Sequence, residues 1–400
     1  MNSLRKSIHT SFNYSKRCAN LSTLSSINEK LKVDHNNWNK SVAEAEKVIG
    51  YPTSFLNLRW LLSDEVANVA LHLRKLLGTN HPLLSIAKDL LMNTENPSWG
   101  LIVLLVAKAG GQHEKFRAID KDVTAGILHN QRILAEVTEM IRTSNLLHKG
   151  IINVTINTEH AEDMNFGNKI ALLCGDYLLS KSYHELASMK NHSLNELMSS
   201  ALRDLAEEEF LGPKDKQNRS LPARPNKTLK PIEIQESFGT DPIPFENVMG
   251  NAKSEWTLHA LLSGGTLLGK SCQGVLKLGQ HEHKFVENGY LFGRNLALAL
   301  QAGREYENTY NNQKISLVSA PILFHLQYDP KFYNEIEEMV YEENELNYGY
   351  ICTKIKKSSA LEDTRQLQKE FSQKALKALE RFSENKSKEA LREIILSLEV

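Results

Sequence analysis

The chain has 400 residues, 41% hydrophobic and 24% charged, the make-up of a globular protein able to bury one large core or two ordinary ones. Lys+Arg and Asp+Glu both number 48, so no net field points to nucleic acid or an anionic membrane. The longest apolar run, Leu101 to Ala107, is too short to span a bilayer and leaves only peripheral membrane contact open. Cys18, Cys174, Cys272 and Cys352 are scattered without a CxxC spacing, which fits a reducing compartment better than a disulfide framework or a zinc site.

Residues 1–31 differ from the rest. Arg5, Lys6, Lys16 and Arg17 are the charges before Glu29, and serines are dense. A basic, Ser-rich, acid-poor segment without a hydrophobic core reads as a mitochondrial transit peptide, placing the protein in the matrix. The Asn-x-Ser/Thr triplets, with no secretory signal, then carry no glycosylation reading.

From Asn36 the pattern is helical. Trp38 to Ile49 forms a helix closed by Gly50. Leu58 to Leu77 repeats apolar residues at helical steps, with Gly78 as its stop. The turn Gly78-Thr79-Asn80-His81-Pro82-Leu83-Leu84 follows, then a buried helix over Leu101 to Ala109 ended by Gly110-Gly111. In Ile133 to Asn153 the apolar residues at 133, 137, 140, 141 and 147, with Ser144 on the same stripe, recur every three or four residues.

This last run resembles the first catalytic helix of the trans-polyprenyl diphosphate synthases, whose pattern is Glu-x-Ile-His-x-Ala-x-Leu-x-His-Asp-Asp-x-x-Asp. The frame is kept through Leu147-His148, but the aspartate positions read Lys149, Gly150 and Asn153. The turn at 78–84 is similar to the family's Gly-Gly-Lys-Arg-x-Arg-Pro-Leu-Leu, yet no Lys or Arg stands between Gly78 and Pro82. Phe166-Gly167-Asn168-Lys169-Ile170-Ala171-Leu172-Leu173-Cys174-Gly175-Asp176-Tyr177-Leu178-Leu179 resembles Gly-Asn-Lys-x-Ala-x-Leu-x-Gly-Asp-x-Leu-Leu closely. Its Asn168, Lys169, Leu172, Gly175, Asp176 and Leu178 are candidate interface or structural residues. Asp176, inside an apolar run, is expected to need a hydrogen-bond partner.

Residues 206–250, with Pro213, Pro222, Pro225, Pro231, Pro242 and Pro244, cannot continue a helix. They read as a surface insertion in one helical domain over 32–400, disordered or wrapped on a partner. A helix resumes over Trp256 to Leu278. The family's Lys-Thr ahead of Ser271-Cys272 falls here on Ser263-Gly264. His281-Glu282-His283 reads as an exposed polar turn, since side chains two apart on a helix do not converge on a metal. Gly293 to Asn308 resembles Gly-x-x-x-Gly-x-Ala-Phe-Gln-x-x-Asp-Asp-x-x-Asp, with Gly293 and Gln301 matching and the aspartates replaced by Arg304, Glu305 and Asn308. At the C-terminus Leu391, Ile394, Ile395 and Leu398 form a stripe behind Ser387, the expected N-cap.

The resemblance implies an all-α isoprenoid-synthase bundle of antiparallel helices. In such enzymes magnesium, held by two facing aspartate clusters, neutralises the leaving diphosphate. Lys149 and Arg304 oppose a cation: a like-charge pair 4 Å apart costs about 4 kcal/mol at an effective dielectric of 20. Two arrangements are open. Lys149 pairs with Glu305 across the old cavity and fills it, or Lys149 and Arg304 hold a diphosphate directly.

Loss of both aspartate motifs looks like the non-catalytic subunits of heteromeric family members. That likeness implies a catalytic polyprenyl diphosphate synthase subunit as partner, a heterotetramer, and an all-trans (decaprenyl) diphosphate product for the ubiquinone tail. It implies magnesium in the partner and no metal or cofactor on this chain. A polyprenyl-lipid-binding or scaffold protein and an autonomous prenyltransferase are the other readings.

Overall fold

The computed structural model describes residues 38–50, 76, 79–92, 98–111, 123–155, 158–234, 239–342 and 346–398. The segment 1–31 and, apart from Leu76, the helix expected over 58–77 lie outside the described residues.

Helix α1 spans 38–49 and stops at Gly50, whose φ of 86° suits glycine. Lys108 donates to the carbonyls of Val48 (2.7 Å) and Ile49 (3.1 Å), closing the open end of α1. Helix α2 (Pro82–Met92) begins on a proline, which loses no hydrogen bond there. In α3 (Trp99–Gly110) Ser98 accepts from Leu101 N–H as N-cap. Residues 100–107 of α3 are buried on every side, as an all-apolar helix must be. A hairpin of β1 (Val123–Thr124) and β2 (Ile127–Leu128) turns through Ala125 and Gly126, both at positive φ, and leads into α4 (His129–His148).

Helix α5 (Ala161–Ser188) runs along α4 and is followed by α6 (His192–Glu207) and a 3₁₀ turn, Glu208–Phe210. The helix expected over Trp256 to Leu278 is two. Helix α7 (Ala252–Ala260) passes through a π turn, Leu261–Gly265, into α8 (Thr266–Leu278). At Gly264 a Cβ would stand 2.5 Å from the Trp99 ring, so the wider turn lies where α3 presses closest. Helix α9 (His283–Tyr310) crosses the middle of the molecule, packed on α8 and, after α10 (Ala320–Tyr328), α11 (Phe332–Glu342) and α12 (Tyr348–Ile355), on α13 (Ala360–Leu379). Helix α14 (Lys386–Leu396) returns to α3. Its N-cap is Asn385, accepting from Ser387 and Lys388 N–H, and not Ser387, which lies two residues further on, already inside the first turn.

The segment 211–250 departs from expectation. Leu211, Leu221, Ile234, Ile243 and Val248 are buried in the chain's own second core cluster, with Trp256 and Phe371. The buried Glu255 accepts from Ala223 N–H (2.8 Å) and Gly250 N–H (2.7 Å), and Ser254 Oγ accepts from Ile232 N–H (2.8 Å). Single apolar anchors between prolines have no period, so the packing was invisible in the pattern.

Candidate functional site

Helix α4 buries Leu134, Val137, Met140, Ile141, Ser144 and Leu147, and this face fixes where its C-terminal end emerges. Lys149 is the αR residue that closes the helix, its N–H bonded to Asn145 O. Gly150 is buried beneath Ile86, which a Cβ would meet at 2.8 Å. Asn153 is tied to the segment after α6: its N–H donates to Gln217 Oε1 (3.0 Å) and its Nδ2 to Lys216 O (2.7 Å).

Lys149 Nζ lies 2.9 Å from Glu208 Oε2 and 3.9 Å from Glu209 Oε1, not against Glu305. The expected bridge across the cavity is therefore corrected. Its partners come from the 3₁₀ turn after α6, which the sequence showed only as a run of acids. Glu208 also faces the buried His259, 3.5 Å away. Burial alone would raise the Glu208 carboxyl, but His259 and the Lys149 ammonium together hold it far below the usual range. Burial and the neighbouring Glu208 charge push Glu209 up. A depressed folded-state pKa contributes stability that is present above the unfolded value, about 4.3, and is lost as pH falls toward the folded one. Glu208→Gln is expected to flatten the acid limb of the stability curve below about pH 4.3, measured by urea unfolding from pH 6 to 3.

These residues line a cleft of about 1590 Å³ between the end of α4, the 3₁₀ turn, residues 214–220 and residues 314–317. Its floor is apolar, with Ile141, Leu179, Leu202, Leu205 and Ile315. Lys149 and Asn153 reach it; Arg304, Glu305 and Asn308 are not in its lining.

Glu305 has a different task. Its carboxylate accepts from Trp256 Nε1 (2.7 Å), Gln301 Nε2 (2.7 Å) and Ala320 N–H (2.8 Å), pinning α7, α9 and α10 together. Burial pushes its pKa up and these three donors pull it down, with burial the larger effect. Arg304, one residue and about 100° of helix away, faces elsewhere. Among the described residues its Nε, shut off from solvent, meets no acceptor, and burial, then the Arg142 charge, lowers its pKa to about 10. Asn308 is half-buried beside them.

The donor set does not fit magnesium, which takes carboxylate or water oxygens in near-octahedral order. The six motif positions offer an ammonium, a glycine, two amides, a guanidinium and a carboxylate whose oxygens are already bonded to N–H groups.

The turn at 79–84 holds a buried histidine where the family's cations would stand. His81 Nδ1 accepts from Leu83 N–H (3.1 Å), so its Nε2–H donates to Asn168 Oδ1 (3.2 Å). Burial lowers the His81 pKa, against the Asn168 contact. Asn168 also pairs reciprocally with the backbone of Ile152, which makes it a clamp between α5 and the end of α4. Gly167 and Gly175 are where the rings of His81 and His148 lie on α5, with no room for a Cβ.

Asp176 is not buried: more than half exposed, it meets His148 Nε2 at 3.2 Å. Lys169 is exposed as well. Leu172 is 47% and Leu173 52% exposed, whereas Leu178 is at 0% and belongs to the chain's own core. With Tyr177 and Tyr183 also exposed, α5 carries an apolar exposed face beside the end of α4. The 281–283 turn is exposed at Glu282 and His283, while His281 shares a hydrogen bond with Gly111 O (3.1 Å).

Residues 98–230 match the family model for polyprenyl synthetase. The chain is 34% identical over 374 residues to the Homo sapiens all trans-polyprenyl-diphosphate synthase PDSS2, covering 90% of this chain and 87% of that protein. It is 27% identical to the probable mitochondrial hexaprenyl pyrophosphate synthase of Neurospora crassa, covering 89% and 84%. In fold it is similar to a decaprenyl diphosphate synthase from Rhodobacter capsulatus, with a TM-score of 0.52 and 15% identity, covering 92% of this chain and 98% of that one. A geranylgeranyl pyrophosphate synthase from Bacteroides thetaiotaomicron gives a TM-score of 0.54 at 17% identity, covering 84% and 97%. The chain belongs to the polyprenyl synthetase family and carries its all-α isoprenoid-synthase fold.

Proposed function

We propose that this chain is the non-catalytic subunit of a heteromeric all-trans-polyprenyl diphosphate synthase, acting in the mitochondrial matrix to make the (decaprenyl) tail of ubiquinone. The observation that carries this reading is that no motif position has a carboxylate free for magnesium, while α5 presents Leu172, Leu173 and Tyr177 outward beside that helix end. Ionising an allylic diphosphate requires its leaving charge to be neutralised, and the metal for that step belongs to a catalytic partner. This chain's residues supply a docking face and a packed helix end that fixes it in place. The basic segment 1–31 and the mitochondrial name of the Neurospora crassa relative support the compartment. Among the described residues no helix is long and apolar enough to cross a membrane.

The test is co-expression with a catalytic subunit and assay of farnesyl and isopentenyl diphosphate condensation. The chain alone should give no turnover. Leu172→Asp and Leu173→Asp, folded by circular dichroism, should lose co-purification and reduce the partner's activity at least about tenfold, since a charge buried unpaired costs several kcal/mol. Lys149→Gln should leave the complex active. Turnover by the chain alone, or full activity of both aspartate variants, would defeat the proposal. The apolar-floored cleft favours a second reading, a polyprenyl-lipid carrier, which calls for prenyl-lipid binding without any gain in the partner's turnover.

A further inference from the structure

The segment 211–221 is a loop bonded chiefly to itself. Leu221 N–H donates to Pro213 O (2.9 Å), Asp215 N–H to Arg219 O (3.0 Å) and Asn218 N–H to Asp215 O (3.0 Å). At its centre the Asp215 carboxylate, shut off from solvent, accepts from Gln217 N–H (2.8 Å), Arg219 N–H (2.7 Å) and Arg219 Nε (2.6 Å). Lys214 Nζ donates to Ser220 Oγ (2.8 Å) across the neck. Charge-assisted bonds away from water are the strong ones, so the loop holds its shape as one body. Leu211 and Leu221 bury its two ends in the second core cluster, and Gly212, at a φ of 62°, stands with the exposed Pro213 at one root.

The bonds from this loop to the rest of the molecule are of another kind. Its tip lies on the residues after α4: Asn153 N–H donates to Gln217 Oε1 (3.0 Å), Asn153 Nδ2 to Lys216 O (2.7 Å) and Gln217 Nε2 to Asn153 O (3.2 Å), all of them exposed. Lys216 Nζ reaches Tyr341 O (3.4 Å), Arg219 bonds the Tyr348 side chain, and Lys214 lies 3.6 Å from Glu209. Between Gly212 and Ser220 the one apolar side chain is Pro213, and it faces solvent. No hydrophobic burial therefore closes the tip, and exposed hydrogen bonds contribute little net, because water replaces them. Lys214, Gln217, Asn218 and Arg219 line the cleft, as do Asn153 and Tyr348 across from them.

We propose that residues 212–220 are a rigid lid on the cleft, latched by the Asn153–Gln217 pair, and that the lid swings open as one body to give access to the apolar floor. A unit that is stiff inside and weakly fastened outside opens at its fastenings first. Asn153, the last degenerate motif position, is then the catch of that latch. The lid depends on neither functional reading, since it controls entry whatever enters.

Labelling of a cysteine placed on the cleft floor, Leu205→Cys, tests this in the full chain. The probe is N-ethylmaleimide, read by peptide mass spectrometry, with the buried Cys272 as internal control. With the latch intact, labelling should be slow. Asn153→Ala with Gln217→Ala should speed it at least about tenfold, and adding Tyr348→Phe should speed it further, with Cys272 unchanged. Amide exchange around Asn153 should quicken, while the Asp215, Asn218 and Leu221 amides stay as slow as before. Should Leu205→Cys fail to fold, Leu202→Cys, half-buried in the same floor, takes its place. Equal labelling with and without the latch would overturn the lid. So would acceleration of Cys272 by the same factor, which marks general loosening, or equally fast exchange within 213–221, which marks a loop that melts instead of swinging.

Discussion

Replacing Glu305 by alanine is expected to unfold the protein, not to switch off a reaction, with a loss of about 3 kcal/mol or more. The substitution strands the indole N–H of Trp256, the Gln301 amide and the Ala320 backbone N–H, all at buried positions or in their company. Each orphaned buried donor costs about 1–3 kcal/mol. Glu305→Gln is expected to be milder, because its oxygen can keep the Trp256 and Ala320 N–H groups while its amide nitrogen faces Gln301, whose own amide can turn its oxygen to accept. Urea unfolding checks this directly. A Glu305→Ala protein as stable as wild type, with a defect confined to catalysis in the complex, would show that the carboxylate serves chemistry after all.

The second large effect is expected at a buried ion pair the motifs did not flag. Lys270 on α8 donates to Asp204 on α6 at 2.6 Å, with both side chains almost wholly buried, and Arg203 reaches the other carboxylate oxygen at 2.9 Å. Lys270→Ala leaves the aspartate charged among apolar neighbours with one exposed-side arginine, and a loss of about 3–5 kcal/mol follows. Lys270→Met with Asp204→Leu should recover most of it, since replacing both charges by apolar groups of similar volume is close to neutral. A double-mutant cycle by chemical denaturation measures the coupling. Additive single effects would mean that the pair contributes nothing as a pair.

Much of the fold was readable because long helices write their buried face into the sequence at a fixed period. The stripe of α4 from Val137 to Leu147 and the run Leu101 to Ala107 are such cases and are buried as their patterns require, while Ile133, read as the start of the stripe, is half-buried and Leu134 takes the core position. The family likeness read from Phe166 to Leu179 and from Gly293 and Gln301 rests on short, ordered motifs that survive in the chain. The direction of single side chains was less readable. Leu172 and Leu178 belong to one motif, yet six residues of helix put one outside and the other in the core. Asp176 was expected to need a partner because of its apolar neighbours, and it meets His148, but those neighbours, Leu172, Leu173 and Tyr177, are themselves exposed. Glu305 looked like the last remnant of a metal site because sequence records residue type and not the donors that meet it. Lys149 was matched with the wrong acid for a related reason: Glu208 lies 59 residues further on, and nothing local signals that contact.

The π turn at Leu261–Gly265 carries a consequence for insertions and deletions. A π turn takes up one residue more than the α-helix around it, so it stores about 100° of helical phase between Trp256 and Lys270. If those five residues were wound as ordinary α-helix, everything from Thr266 onward would be rotated by that amount, and Lys270 would turn away from Asp204. Removing one residue from the turn has the opposite result: the helix straightens and the downstream register is kept. Elsewhere along α7 and α8 a one-residue deletion would scramble the core, whereas within these five residues the fold is able to absorb it.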